Sequence, residues 1–377
     1  MGSSLSEPEF ITVLADKHVE NGETITLCCE ANTEHVTATW EKNDQKLYCV
    51  ENKHSVEKEE TKFSLKIERA EEADEGKYTI NLKNRKGEIS CSSHVTVELV
   101  EWRKMDLNQE SMFNTLKTFT ICNKVPELHF LLYGPIGAGK SSTINTIRTI
   151  FEGRQFVNCL AATGSHTSHT QYYERFSFEN EEGSFPFAFN DIMGVEENET
   201  GVHAQDIISA LKGHMKEGYK FNYKSSLATD KHYYNQNPSL SDQMHCLVYV
   251  IPADKISLMD NDFIKQLKSV RETASSMGMP QGVFMTRVDE ACPMVNKDLK
   301  NIYKSKKIRD KMQECSNVVG VPVNCIFPVL NYHEQTHLND DINCLMLDAL
   351  TKIIHWANDY VVKMSNIQIS PQQPIQG

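Results

Sequence analysis

A strand-loop-helix signature near the middle of the chain restricts its architecture more than any other feature. The apolar run Leu128-His129-Phe130-Leu131-Leu132-Tyr133 leads straight into Gly134-Pro135-Ile136-Gly137-Ala138-Gly139-Lys140-Ser141, and Ser142-Thr143-Ile144-Asn145-Thr146-Ile147 then carries a helical pattern. That order and spacing is a phosphate-binding loop. Gly134 and Gly139 let backbone N–H groups curl round an anion, Lys140 brings a point charge to the outer phosphates, and the Ser141 hydroxyl is a ligand for Mg²⁺. A nucleoside triphosphate is the ligand that residues 134–142 predict. The bland alternative, a glycine-containing strand-to-helix turn, has no need of the whole pattern in this flanking context.

A chain of 377 residues is too long for one ordinary core, so two domains are expected. The formal charge is -12, with 12 Lys/Arg against 20 Asp/Glu in residues 1–99 and 27 against 31 in the remainder. Neither part has the basic excess of a nucleic-acid binder. No apolar run approaches the roughly 20 residues that span a bilayer, and Met1-Gly2-Ser3-Ser4-Leu5-Ser6-Glu7 holds no apolar signal segment. A cytoplasmic protein is expected. The 11 cysteines agree, being an odd set with no C-x-x-C pair, and read as reduced core residues. Gly2 and Ser6 match a myristoylation pattern, yet one acyl chain binds membranes only marginally, and acidic Glu7 and Glu9 follow where a basic helper is needed. Membrane attachment is therefore expected only if Gly2 is myristoylated.

From Glu9 to Glu98, short β-type runs alternate with turn clusters at the spacing of a sandwich. Ile25, Leu27 and Cys29 alternate along one run, Trp40 follows, and Phe63-Ser64-Leu65-Lys66-Ile67 precedes Asp74-Glu75-Gly76-Lys77-Tyr78. These residues look like an immunoglobulin-type domain, with Trp40 as its core tryptophan and Tyr78 as its corner tyrosine. Two residues after Tyr78, where an extracellular domain of this type has its second cysteine, this chain has Ile80. Cys29 is then expected to pack as a small apolar residue against Ile80, in a reducing compartment. A module of this kind binds or spaces, and its protein partner is not readable.

Residues 1–99 are thus assigned to this all-β domain and 100–125 to a helical linker. In that linker Leu107, Met112, Phe113, Leu116 and Phe119 fall at near-helical intervals, and docking against the second domain is expected. Residues 126–364 alternate strands (near 171–178, 185–190, 244–251, 282–286 and 324–330) with helices (near 139–151, 203–215, 261–277, 297–314 and 341–362). That alternation predicts an α/β domain with a mainly parallel sheet covered on both faces, and a ligand outside the carboxyl ends of its strands. The polar stretch 216–243, with Tyr223, Tyr233, Tyr234 and Pro238, reads as an insertion, either a partner or dimer contact or a plain surface excursion. The tail 365–377 is expected to be disordered.

Further landmarks follow the phosphate loop. Phe187-Ala188-Phe189-Asn190-Asp191-Ile192-Met193-Gly194 is an apolar strand ending in D-x-x-G; in a GTPase, Asp191 would hold Mg²⁺ through water and the Gly194 N–H would sense the γ-phosphate. The Ser/Thr-rich loop 162–170 lies where a first switch belongs. Thr163, Thr167 and Thr170 compete there to cap Mg²⁺ and the γ-phosphate, with Thr167 the first choice. Val283-Phe284-Met285-Thr286-Arg287-Val288-Asp289 ends in T-R-x-D, close to the guanine-reading [NT]-K-x-D. Asp289 would accept the guanine N–H groups, the Arg287 stem would cover the base, and T-R-x-D looks like the version in some immune-associated GTPases. Val195-Glu196-Glu197 follows Gly194 with no glutamine to orient water, so slow or assisted hydrolysis is expected and no catalytic residue is assigned.

With these residues in place, the chain resembles the interferon-induced protein 44 and 44-like family, most closely the fish members with an immunoglobulin-like domain before a GTPase-like domain. The carriers are Glu101-Trp102-Arg103, the run from Gly134 through Phe151-Glu152-Gly153, Gly201-Val202-His203, Ala210-Leu211-Lys212-Gly213-His214, Glu217-Gly218-Tyr219, and Val288-Asp289-Glu290-Ala291-Cys292-Pro293. The resemblance implies a cytoplasmic, interferon-inducible antiviral protein that binds GTP with Mg²⁺. The expectation is a GTP switch or slow GTPase, with homo-oligomerisation open and no nucleic acid bound. The competing classes are an immune adaptor whose phosphate loop is structural, and an ATP-dependent enzyme such as a kinase.

Overall fold

The computed structural model describes residues 6–98, 100–122, 124–155, 171–180, 183–194, 202–222, 227 and 232–369. Thr163, Thr167, Thr170, Tyr223 and residues 195–197 lie outside these, as does Gly2. The chain divides into two compact units, Met1–Trp102 and Arg103–Gly377.

In the first unit the strands are β1 (Phe10–Thr12), β2 (Lys17–Glu20), β3 (Ile25–Ala31), β4 (Thr37–Lys42), β5 (Gln45–Lys46), β6 (His54–Glu59), β7 (Lys62–Ile67), β8 (Gly76–Lys83) and β9 (Glu88–Glu98). They form two sheets, ordered β1-β3-β7-β6 and β2-β9-β8-β4-β5. Because successive strand residues face opposite ways, Ile25, Leu27, Cys29 and Ala31 are all buried while Cys28 is exposed. The same alternation buries Phe63, Leu65 and Ile67 from β7 and Ile80 and Leu82 from β8, and Trp40 closes the core. The Tyr78 hydroxyl donates to the Asp74 carbonyl at 2.9 Å, as a corner tyrosine should. Asp74 is itself buried, pairs with Lys53 at 2.6 Å and accepts the Glu71 N–H at 2.8 Å, so the turn before β8 is held from both sides. Cys29 lies in the core with Ile80, as expected, and Cys91, the residue in register with Ile80 on the next strand, packs against the same core.

The second unit begins with α1 (Gln109–Lys117), capped by the Asn108 side chain on the Ser111 N–H. There follow β10 (Leu128–Tyr133), α2 (Lys140–Glu152), β11 (Glu174–Asn180), β12 (Gly183–Asp191), α3 (Ala204–Leu211), β13 (Cys246–Pro252), α4 (Asn261–Ser276) and β14 (Gln281–Thr286). The chain ends with α5 (Val288–Ala291), α6 (Pro293–Lys297), α7 (Lys306–Val319), β15 (Ile326–Pro328) and α8 (Asp340–Ile369). One six-stranded sheet runs β11-β12-β10-β13-β14-β15, parallel throughout except for β11 against β12. The expected α/β architecture is therefore present. Every residue of β10 and β13 is buried, which is why both strands read as continuous apolar runs.

Ile144, Ile147, Ile150 and Phe151 of α2, Leu347, Leu350, Ile353 and Ile354 of α8, and the Phe185, Phe187 and Phe189 side chains of β12 share one core. Met112 and Leu116 of α1 enter the same core, α1 packs along α8, and the Phe113 ring lies 5.6 Å from that of Phe151. The segment read as a linker thus folds onto the second unit.

Two helices differ from expectation. The helix placed near 297–314 is α7, later in the chain, because Asp298 is extended after α6 and the Ser305 side chain caps the new start on the Ile308 N–H. α8 also runs past the expected start of the tail. Ser365 is buried and its hydroxyl donates to the Val361 carbonyl, so the helix continues to Ile369. Among the described residues, no helix is long and apolar enough to cross a membrane.

At the β15 edge, Arg103 donates to the carbonyls of Ile326 (2.9 Å) and Val323 (3.0 Å) and lies over the Tyr303 ring. A charged donor serving two edge carbonyls stabilises by about 1.5–3 kcal/mol. Arg103→Ala is therefore expected to lower the urea stability of the second unit by about 2 kcal/mol, and Arg103→Lys to recover only part, since an ammonium lacks the planar fork.

Candidate functional site

β10 leads on to β11 and β12 on one side and its neighbour β13 leads on to β14 on the other, so the connections leaving β10 and β13 diverge. Parallel α/β sheets bind ligands at such a reversal of strand order. The loop between β10 and α2 fills this position. Gly139 has φ +94°, a left-handed conformation that turns the chain into α2 directly before Lys140. The N–H groups of the first helical turn find no acceptor within the helix, and together with its dipole they favour an anion.

Lys140 is only 7% exposed, and its Nζ donates back to the carbonyls of Gly134 (3.0 Å) and Pro135 (3.1 Å). Burial pushes its pKa down to about 8, against the opposing pull of the Asp191 carboxylate. The ammonium thus sits where water stabilises it poorly and one carboxylate compensates in part.

The register of β12 against β10 pairs Asp191 with Leu132 and brings its carboxylate to the start of α2, where Ser141 Oγ donates to Asp191 Oδ2 at 2.8 Å. One hydroxyl and one carboxylate converging beside the glycine loop are hard oxygen donors of the kind that Mg²⁺ takes from protein. Gly194 lies directly over the loop. A Cβ there would stand 2.7 Å from Ile136 Cγ1 and 3.0 Å from its N and Cα, so only glycine permits this approach.

Thr286 ends β14, fully buried, and its hydroxyl donates to the Ala138 carbonyl at 2.7 Å. Its side chain therefore braces the glycine loop. Arg287 adopts a left-handed conformation (φ 56°), and its guanidinium pairs with Asp254 at 3.1 Å. Asp289, in the first turn of α5, has His333 Nε2 at 3.9 Å.

The sequence reading passed over the loop after β15. Asn331 Nδ2 donates to the Gly139 carbonyl (3.3 Å) and Thr143 Oγ1 (3.2 Å), and the Tyr332 N–H donates to Thr146 Oγ1 (3.0 Å). These contacts stitch residues 331–333 to α2 and carry His333 to Asp289. Asp254 was passed over as well. The signal that would have found them is positional, since residues 329–333 and 253–254 directly follow the carboxyl ends of β15 and β13. Of the predicted residues, the structure gathers 134–142, Asp191, Gly194 and Thr286, with Arg287 turned to Asp254 and Asp289 beside His333. Thr167 lies outside the described residues.

Residues 8–97 match the immunoglobulin I-set domain. Interferon-induced protein 44 of Homo sapiens is 30% identical to the chain over 264 residues, which is 69% of this chain and 59% of that protein. Interferon-induced protein 44-like of Homo sapiens is 30% identical over 241 residues, 63% of this chain and 53% of that protein. The chain spans a little over half the length of these relatives. A match of 264 residues is more than twice the length of the first unit, so most of the similarity lies in the second. Titin domain M7 is 28% identical over 26% of this chain and 99% of that chain, with a TM-score of 0.24. The chain is thus similar to interferon-induced protein 44 and 44-like, and its N-terminal domain is of the immunoglobulin I-set type.

Thr286→Val removes the donor from the buried Ala138 carbonyl while keeping the side chain's shape. A loss of about 1–3 kcal/mol is expected in urea unfolding, with faster amide exchange at residues 137–140. Thr286→Ser should retain most of the stability, and an unchanged exchange rate in Thr286→Val would show that the hydroxyl does not brace the loop.

Proposed function

We propose that the second unit binds GTP with Mg²⁺ and works as a nucleotide-dependent switch in an interferon-induced antiviral response, with the immunoglobulin-like unit as its protein-binding arm. The observation that carries this reading is the convergence of Lys140, Ser141, Asp191 and Gly194 at the reversal of strand order. The interferon and antiviral part rests on the similarity to interferon-induced protein 44 and 44-like.

In this reading Lys140 turns from the Gly134 and Pro135 carbonyls to the outer phosphates, and its buried charge gains the counter-charge that Asp191 supplies only in part. The backbone of residues 134–139 and the first turn of α2, with Ser142, cradle the phosphates. Ser141 and Asp191 would hold Mg²⁺, whose charge would offset that of the phosphates. Thr167 would complete that set, and the Gly194 N–H reports the γ-phosphate to the loop after β12. Asp289 accepts the guanine N–H groups, while Asp254 holds Arg287 at the edge of the base site. With valine after Gly194, binding is expected to outlast turnover. A cytoplasmic location follows from the cysteine usage of the sequence, and homo-oligomerisation is an additional proposal.

The test is a titration of the full chain with GTP and with ATP in the presence of Mg²⁺. Lys140→Ala should weaken GTP binding at least about 30-fold, the effect of truncating one partner of a buried charge pair. Asp289→Ala should cut the preference for GTP over ATP by about 10- to 100-fold. Unchanged GTP affinity in Lys140→Ala would overturn the reading. If the wild type binds neither nucleotide, the phosphate loop is structural and the protein is an adaptor; equal competition by ATP would point to an ATP-dependent enzyme.

A further inference from the structure

A second chemical pair lies in the immunoglobulin-like unit. Cys29 is on β3 and Cys91 on β9, strands of opposite sheets. Cys29 follows Ile25 and Leu27 on the inward side of β3, and Cys91 precedes the buried Ser93, Val95 and Val97 on the inward side of β9. Both side chains belong to the one core between the sheets, Cys29 within it and Cys91 packed against it, and each thiol shifts the other's proton affinity. Cys28 points outward from the opposite face of β3, so strand alternation removes it from competition.

We propose that Cys29 and Cys91 form a reversible inter-sheet disulfide when the protein meets a peroxide, linking β3 to β9 because β8 offers only Ile80. Thiols that face one core from opposite sheets are placed as an inter-sheet S–S bond of about 2.05 Å requires. The two cysteines also differ in the way a disulfide-forming pair requires. Cys91 is partly exposed and Cys29 is sealed in the core, and the interaction between them lowers the Cys91 pKa to about 7 while, with burial, holding the proton on Cys29.

The Cys91 thiolate attacks one peroxide oxygen and the O–O bond breaks, giving a sulfenic acid and a hydroxide that takes up a proton to become water. The Cys29 sulfur then attacks the Cys91 sulfur, the S–O bond breaks, and the departing hydroxide leaves as water with the Cys29 proton. Two thiols lose two electrons in all, and one peroxide is reduced to two waters. Thiol reductants reverse the bond. The cross-link restricts the unfolded chain, so the oxidised unit is the more stable form.

The experiment treats the folded full chain with hydrogen peroxide in a Cys28→Ser background, which keeps the linked peptide unambiguous, then denatures, alkylates and maps peptides without reduction. The expected result is a Cys29–Cys91 linked peptide about 2 Da lighter than its two free halves, with both cysteines escaping alkylation until dithiothreitol is added. The first unit should also melt several degrees higher when oxidised. Cys91→Ser, with Cys91→Ala as a second variant, should lose the linked peptide and the rise in melting temperature. The inference is overturned if Cys29 and Cys91 are both alkylated after a dose that has oxidised exposed Cys49, or if Cys91 reaches sulfinic acid while Cys29 remains a thiol.

Discussion

The connections that follow β10 and its parallel neighbour β13 run in opposite directions along the sheet, so the carboxyl end of β10 is where backbone can line a crevice without losing its ladder partners. Each element of the candidate site depends on this arrangement. The β10–β12 register sets Asp191 against Ser141, and β14, one strand further out, ends with the hydroxyl that braces Ala138. The loop after β15 reaches back to α2 through Asn331 and Tyr332. A glycine loop at the end of an edge strand would have none of these neighbours.

The charge at Lys140 gives this geometry its energetic meaning. A buried ammonium is costly, and here two loop carbonyls and one carboxylate offset the cost incompletely, which the lowered pKa records. Groups perturbed by burial and a specific partner, set in a cleft, are where function concentrates. Under the proposed reading, a polyanion completes a set of interactions that the protein alone leaves short.

How much was legible in the sequence depended on the range of the interaction concerned. β10 and β13 could be read because burial on both faces makes a continuous apolar run. Residues 134–142 could be read because the loop's chemistry is local to one strand-turn-helix. α7 starts later than helical periodicity suggests because Asp298 is extended and Ser305 caps the new start, and residues 365–369 extend α8 because Ser365 finds its acceptor one turn back. Asn331 and His333 carry no motif, since their significance comes from partners nearly 200 and 44 positions away. Arg103 carries no local signal of its role, because its work at the β15 edge joins residues 220 or more apart.

The sequence by itself determined the order of an immunoglobulin-like sandwich and an α/β unit, the glycine loop 134–141 between strand and helix, and the identities of Asp191, Gly194 and Asp289 as candidates. Alternation, apolar runs and turn chemistry act over a few residues and are written along the chain. Only the tertiary structure decided that the Thr286 hydroxyl braces the glycine loop, that residues 331–333 close on α2, and that Cys29 and Cys91 share one core. Those contacts follow from strand order and register, which are set by packing between segments far apart in the chain.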